Sequence, residues 1–192
     1  MRRAKIHRKT KETDVTVAIN LDGRGEYKIS TSIPFLDHML TLMAYHGRID
    51  LDIKARGDTE VDYHHLMEDL GITLGAALEE ALADKTGIAR FGQAKVPMDE
   101  SLSEVIIDIS GRPYLVYRIG KRSGTVKDLP VSLFEDFFRG FTNNARINLH
   151  IIVHYGRDLH HILESIFKAF GRALKGATMI EGSSVPSTKG SL

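Results

Sequence analysis

Two stretches of this chain, 96 residues apart, are nearly the same and decide how it is organised: Asp62-Tyr63-His64-His65-Leu66-Met67-Glu68 and Asp158-Leu159-His160-His161-Ile162-Leu163-Glu164. The similarity continues downstream to Ala77-Leu78 and Ala173-Leu174. It also extends upstream, where residues 48–53 resemble residues 146–151. The chain therefore reads as a duplicated unit, and each copy carries a pair of adjacent histidines followed by a glutamate.

The spacing within each motif favours metal binding on a helix. In a helix, His64 and Glu68 lie one turn apart on the same face, so both can reach one cation. Adjacent histidines point about 100° apart around the helix axis, which makes chelation of one ion by both awkward. The two motifs therefore predict two metal ions, with ligands exchanged between elements or between chains.

Length and composition are those of an ordinary globular protein. The 192 residues suffice for one domain or two small fused halves, with 42% hydrophobic residues and a formal net charge of +1. This balance gives no reason to expect binding to nucleic acid or membrane. The chain has no cysteine and no apolar stretch of the roughly 18 residues that a membrane span needs. We expect a cytoplasmic protein.

Each half predicts the element order ββαβα. In the first half, alternating residues predict strands at 14–20, 26–32 and 49–55, helical periodicity begins at Phe35, and Asp62 is an N-cap candidate for a helix to about Ala83. The second half predicts strands at 104–110, 114–119 and 147–154 and helices from about Leu133 and from His160 to about Lys175.

This order predicts an α+β fold of duplicated ββαβα half-domains, in which two sheets backed by helices pack helix against helix. We place the first repeat at residues 1–90 and the second at residues 91–192, within one compact unit. The last residues, 182–190, have loop composition.

Six strings in register along nearly the whole chain resemble imidazoleglycerol-phosphate dehydratases of histidine biosynthesis. They are Phe35-Leu36-Asp37-His38-Met39-Leu40, His64-His65 to Glu68-Asp69, Met98-Asp99-Glu100, Ser110-Gly111-Arg112-Pro113-Tyr114, His160-His161 to Glu164 with Phe167-Lys168-Ala169-Phe170, and Pro186-Ser187-Thr188-Lys189-Gly190. The resemblance implies a fold like ribosomal protein S5 domain 2 and two Mn²⁺ ions per active site. It also implies a homo-oligomer of 24 subunits with sites at subunit contacts.

The motifs supply six of the expected metal ligands: His64, His65, Glu68, His160, His161 and Glu164. The resemblance adds His38 as a seventh. Under the repeat alignment the counterpart of His38 is Asp136, which we take as the eighth ligand. His150, on the strand before the second motif, competes for that role. Mixed imidazole and carboxylate ligation suits several first-row cations, so manganese rests on the resemblance.

The resemblance also implies the catalytic and substrate-binding residues. The catalytic set comprises Glu12, as the acid/base, and the six residues of the two motifs. A phosphate-bearing small molecule would be bound by Arg90, Arg112, Lys168, Ser187 and Lys189, with Glu12, His38 and His46 also lining its pocket.

The function that we predict is a metal-dependent carbon–oxygen lyase that converts imidazole glycerol phosphate to imidazole acetol phosphate and water. One alternative is a dinuclear metallohydrolase of phosphate esters, which the same ligands could support. Another is a metal-storage assembly without turnover. Phosphate-binding cations and a placed acid/base separate an enzyme from a store, and release of inorganic phosphate separates a hydrolase from a lyase.

Overall fold

A computed structural model of the chain describes residues 1–120, 123–190 and 192. The first half forms four strands and two helices, in the order β1 (Arg3–Lys9), β2 (Thr13–Asn20), β3 (Tyr27–Ser30), α1 (Pro34–Gly47), β4 (Asp50–Gly57) and α2 (His64–Leu82). The second half repeats it as β5 (Phe91–Met98), β6 (Ser101–Asp108), β7 (Tyr114–Arg118), α3 (Leu133–Ala145), β10 (Asn148–Tyr155) and α4 (Leu159–Thr178), with a short hairpin of β8 (Thr125–Val126) and β9 (Leu129–Pro130) before α3.

The predicted ββαβα order is confirmed in both halves. The short β8–β9 hairpin was not predicted, and each four-stranded sheet has one strand more than the sequence predicted. The additional strands, β1 and β5, precede the predicted set and occupy one edge of each sheet. The sheets have the equivalent orders β1-β2-β4-β3 and β5-β6-β10-β7. The strands on either side of the Gly23–Gly25 turn are not neighbours, because β4 lies between β2 and β3 and pairs antiparallel with one and parallel with the other.

Two helices cover one face of each sheet, and the two helical layers pack against each other. Helix α1 contacts α4, and α2 contacts α3, so both main helix contacts join one half to the other. The core between the halves contains six fully buried phenylalanines: Phe134, Phe137, Phe138, Phe141, Phe167 and Phe170. The predicted helix-on-helix arrangement and the α+β fold class are confirmed, and the apolar stripe that begins at Phe35 lies mostly in the core.

Glycines set the distance between the paired helices, and two of them, Gly75 and Gly171, occupy equivalent places in the repeat. A Cβ atom on Gly75 of α2 would collide with the carbonyl oxygen of Phe141 and lie 3.0 Å from the Ala145 nitrogen of α3. A Cβ atom on Gly171 of α4 would collide with the Met43 carbonyl oxygen and lie 3.0 Å from the Gly47 nitrogen of α1. The two contacts occupy equivalent places in the repeat and bring helix backbones together without intervening side chains.

The helix ends repeat as well. Arg48 and Arg146, which follow α1 and α3, both adopt the left-handed conformation, with φ of 50° and 53°.

The division of the chain near residue 90 stays a prediction. In the part of the chain that is described, no helix is both long and apolar enough to cross a bilayer.

Replacing Gly171 with Ala should push α1 and α4 apart, because the new methyl group has no space beside the Met43 carbonyl. Overpacking of this kind typically costs about 1–3 kcal/mol of unfolding free energy, despite the better helix propensity of Ala. Gly176→Ala on the same helix is the matched control, since its Cβ would meet only the Gly92 Cα at 3.5 Å. Urea unfolding measures both, and equal stability of the two variants would contradict the close-contact role of Gly171.

Candidate active site

The first cluster of predicted ligands lies where the N-terminal parts of α1 and α4 meet. His38 of α1 and His160 and Glu164 of α4 each direct one donor atom into a space in which the three atoms lie within 4.8 Å of one another. Glu164 Oε2 is 3.2 Å from His160 Nε2 and 3.7 Å from His38 Nε2. We call this set the histidine half-site. Two imidazole nitrogens and one carboxylate oxygen suit a divalent first-row cation.

Glu164 is the most buried member of the histidine half-site, with 11% of its side chain exposed. Burial alone would raise the pKa of this carboxyl, but a 2.6 Å contact with the Lys168 ammonium and the nearby imidazoles outweigh it and lower the pKa. The Glu164 carboxylate is therefore held in the charged form that metal ligation requires.

The second cluster lies at the equivalent meeting of α2 and α3. His64 Nδ1 of α2 is 3.9 Å from Asp136 Oδ2 of α3. Glu68 lies one helical turn after His64 and is exposed to solvent; within the described ranges, no hydrogen bond or ion pair holds its carboxylate. We call His64, Glu68 and Asp136 the aspartate half-site. It is more open than the histidine half-site, and its members do not form a tight cluster.

Each half-site combines residues from both halves of the chain. The histidine half-site takes His38 from the first half and His160 and Glu164 from the second, whereas the aspartate half-site takes Asp136 from the second half and His64 and Glu68 from the first. Each of the three residues in one half-site therefore has a counterpart, related by the internal repeat, in the other half-site. The parallel helix pairs α1/α4 and α3/α2 bring these donors together.

His65 is directed away from the aspartate half-site, although it follows His64 directly. Its Nδ1 is 3.1 Å from the Asp58 carboxylate, in the segment between β4 and α2, and 3.9 Å from Glu12 Oε2. The hydrogen bond to Asp58 raises the pKa of His65. Glu12, in the turn between β1 and β2, keeps 53% of its side chain exposed. The predicted acid/base thus lies beside one of the predicted ligands and is accessible.

His161 is likewise directed away from the histidine half-site. Its Nδ1 is 2.7 Å from Glu100 Oε2, in the turn between β5 and β6. Glu100 Oε1 accepts hydrogen bonds from the backbone N–H groups of Asp158 and Arg157, at 2.9 Å and 3.3 Å. The Asp158 N–H bond and the contact with His161 lower the pKa of Glu100 to about 2, and the same contact raises the pKa of His161.

The residues predicted to bind phosphate fall into two groups. The first comprises Lys168, which contacts Glu164 of the histidine half-site, and His46, which lies about two helical turns after His38 in α1. His46 lines a cavity of about 570 Å³ at the C-terminal end of α1, together with Arg48 and Arg172. Burial and the nearby charges of Lys168 and Arg172 lower the pKa of His46. The arginines in the lining give this cavity a positive charge, as an anionic ligand requires.

The second group surrounds the C-terminal segment. Arg90 forms a bidentate contact with Asp108, at 2.7 Å and 3.3 Å, and donates to the Pro186 carbonyl oxygen at 3.0 Å. Ser187 Oγ accepts the Lys189 N–H at 3.2 Å. Arg112 is exposed in the loop before β7, and the space beside its neighbour Gly111 is filled by Leu192. In the described parts of the chain, no hydrogen bond or ion pair joins this group to Lys168 or His46.

His150 lies on the opposite side of its sheet from the helices. Its neighbours in β10, Leu149 and Ile151, are fully buried against the helices, and side chains alternate along a strand. His150 therefore points to the outer face of the second sheet, whereas Asp136 faces His64. Within one chain, the geometry favours Asp136 over His150 as the eighth ligand, and the assignment stays a prediction.

Sequence reasoning gave no role to two carboxylates that contact the paired histidines, Asp58 and Glu100. A signal was available for Glu100, since the string Met98-Asp99-Glu100 belongs to the resemblance and lies at the same place in the second half as Glu12 in the first.

Another cavity lies apart from the half-sites. A cavity of about 840 Å³, lined by residues such as Arg3, Tyr27 and Asp52, contains none of the predicted site residues.

Comparison with known proteins assigns the fold and the motifs to one family. The family model described as imidazoleglycerol-phosphate dehydratase matches residues 31–174. A protein of that name from Thermodesulfovibrio yellowstonii is 55% identical over 190 residues, which cover 99% of each chain. A second, from Thiobacillus denitrificans, is 53% identical over 195 residues and 100% of both chains.

Solved structures agree with this assignment. The imidazoleglycerol-phosphate dehydratase of Staphylococcus aureus is similar with a TM-score of 0.83 and 39% identity, over 93% of this chain and 99% of that one. The Pyrococcus furiosus enzyme, solved in complex with (S)-C348, is similar with a TM-score of 0.85 and 41% identity, over 97% of this chain and 100% of that one.

All these relatives are dehydratases, so the class of protein is that of the hydro-lyases, as the sequence predicted. The chain belongs to the imidazoleglycerol-phosphate dehydratase family.

The role of Asp136 can be tested by metal counting. Asp136→Ala should lose roughly one of two bound ions, because the carboxylate that faces His64 is removed, whereas Asp136→His should keep both, since imidazole also serves such cations. His150→Ala is the matched control and should lose none. Elemental analysis of the three variants decides the question. Loss of metal from His150→Ala with both ions kept by Asp136→Ala would assign the ligand to His150 instead.

Proposed function

We propose that this protein converts imidazole glycerol phosphate to imidazole acetol phosphate and water, as a metal-dependent step of histidine biosynthesis. The observation that carries the proposal is the histidine half-site, in a chain that matches the dehydratase family over nearly its whole length. Family membership weighs against both alternatives, the metallohydrolase and the metal store. The cytoplasmic location expected from the sequence stays a prediction.

The proposal includes two Mn²⁺ ions per active site. The eight predicted ligands divide into two sets of three and two separate imidazoles: the histidine half-site, the aspartate half-site, His65 and His161. This division supplies four protein donors for each ion if each half-site gains one of the separate imidazoles. Such mixed nitrogen and oxygen ligation fits manganese among other first-row cations.

The directions of His65 and His161 support a shared site between copies of the chain. Each is held by a carboxylate outside the neighbouring half-site, so within one chain it does not complete that half-site. A second copy would bring its own His65 or His161 to the open side. The proposed assembly is a homo-oligomer, of 24 subunits by resemblance, with active sites at subunit contacts.

Mass measurement before and after chelation tests whether metal holds the subunits together.

Within this proposal the chain's residues have separate tasks. The ions, when bound, would supply Lewis acidity to the substrate's imidazole ring. Glu12 would move the proton from the carbon next to the ring, since its accessible carboxylate lies beside His65. Lys168 and His46 would hold the phosphate near the histidine half-site. Arg90, Arg112, Ser187 and Lys189 would bind it from the C-terminal segment, and the separation of the two groups within one chain fits a site shared between subunits.

The proposed function predicts loss of water without loss of phosphate. Purified protein given imidazole glycerol phosphate should produce the ketone, measured by its enol absorbance in base, and EDTA should abolish this activity until Mn²⁺ is restored. The same samples are assayed for inorganic phosphate, which the lyase should not release. Phosphate release without ketone would favour the hydrolase, and bound metal without either product would favour storage.

Glu12→Gln should keep metal and substrate binding while turnover falls by about 10²-fold or more, the usual size of a lost acid/base. The change removes the proton-accepting carboxylate and keeps the size of the side chain. Glu26→Gln, on the exposed turn before β3, is the matched control and should be fully active. Steady-state kinetics with metal counting measures both variants, and near-native turnover of Glu12→Gln would remove Glu12 from the acid/base role.

A further inference from the structure

Glu100 contacts a predicted metal ligand from outside the ligand set. The carboxylate lies in the β5–β6 turn and joins His161 Nδ1 at 2.7 Å. Two backbone N–H groups at the start of α4, from Arg157 and Asp158, fix the other oxygen. The carboxylate is therefore bound to the same helix end that carries His161. The second ring nitrogen, Nε2, lies 3.9 Å from the exposed Asp99 carboxylate.

The role of the Glu100–His161 contact follows from a comparison of the two halves of the chain. Glu100 precedes β6 directly, as Glu12 precedes β2, so the two glutamates occupy the same place in the two halves. Their environments differ, however. In the first half Asp58 holds His65 Nδ1 at 3.1 Å, and Glu12 remains 3.9 Å away and half exposed.

The second half has no carboxylate at the place of Asp58. Asp58 is the first residue after β4, and the first residue after β10 is Gly156. A Cβ atom on Gly156 would lie 2.5 Å from Ser101 Oγ and 2.7 Å from Ile162 Cγ1, so an aspartate there would require both of these side chains to move. The glutamate of the preceding turn makes the contact with the histidine instead.

We propose that Glu100 is a positioning residue for His161, and that Asp58 does the same for His65. An Nδ1–H group that donates to a carboxylate fixes the ring orientation and the tautomer, and leaves Nε2 free to bind a cation. The glutamate directly before β2 and the one directly before β6 thus have different roles in the two halves. Glu100 orients a ligand, whereas Glu12, relieved of that task by Asp58, is free to act on the substrate. This inference rests on the proposed function.

The test measures Mn²⁺ binding without turnover. Free Mn²⁺ is followed by electron paramagnetic resonance while the assembled protein is titrated, which gives the number of sites and their dissociation constants. Glu100→Gln should weaken one of the two ions by about 10–100-fold, the usual effect of removing the carboxylate partner of a ligating histidine. Glu104→Gln is the matched control, since Glu104 makes the same kind of contact with His154, at 2.8 Å, away from both half-sites.

A double-mutant cycle shows whether Glu100 acts through His161. In a His161→Asn background, Glu100→Gln should cause no further loss of affinity, whereas independent effects would add. Should Glu100→Gln fail to fold, Glu100→Asp replaces it. Glu100→Asp keeps the charge but withdraws it from the ring by one methylene, so it should also weaken one ion selectively.

The outcomes separate this inference from the proposed function. If the unaltered protein does not bind two Mn²⁺ ions, the two-metal proposal fails. If it binds two and Glu100→Gln binds both with unchanged affinity, only the positioning role of Glu100 is overturned. Additive losses in the cycle would likewise overturn it.

Discussion

The direct backbone contact between paired helices is the constraint on which the rest of the structure depends. Gly75 and Gly171 let α2 approach α3 and α4 approach α1 without side chains between them. Because each pair runs in parallel, the N-terminal ends of its helices also meet, and these ends carry the half-sites. Helix packing therefore determines which imidazoles and carboxylates come within reach of one cation. A change in helix spacing of a fraction of an ångström would act on both half-sites.

The sequence predicted the elements with strong periodicity and missed those with little. The four helices in the described ranges were all predicted, because their apolar faces recur at helical spacing over a dozen or more residues. Strands β1 and β5 were missed because each lies at a sheet edge, where one face and one side are open to solvent. Their outward positions carry Arg3, Lys5 and Gln93, and β5 contains Pro97. Such strands have few inward apolar residues to mark them.

The site residues, like the helices and strands, were predicted where a regular spacing in the sequence marks them. The spacing of His160 and Glu164 was sufficient to predict that they share a face, and the structure brings them to 3.2 Å. The partnership of His38 with this pair depends on packing between helices more than 100 residues apart in sequence, so it came from resemblance. Asp58 and Glu100 could not be found by periodicity, since they lie in turns and act through contacts formed only in the folded chain.

The exchange of residues between halves has a consequence for the origin of the chain. A single half contains one helix with a predicted ligand at the place of His38 or Asp136 and one helix with a histidine and a glutamate. Two identical copies of such a half, paired about a twofold axis, would build two identical half-sites. Fusion of the copies removes that identity, since each position can then change on its own. The pairs His38 with Asp136 and Asp58 with Gly156 record this divergence from symmetry.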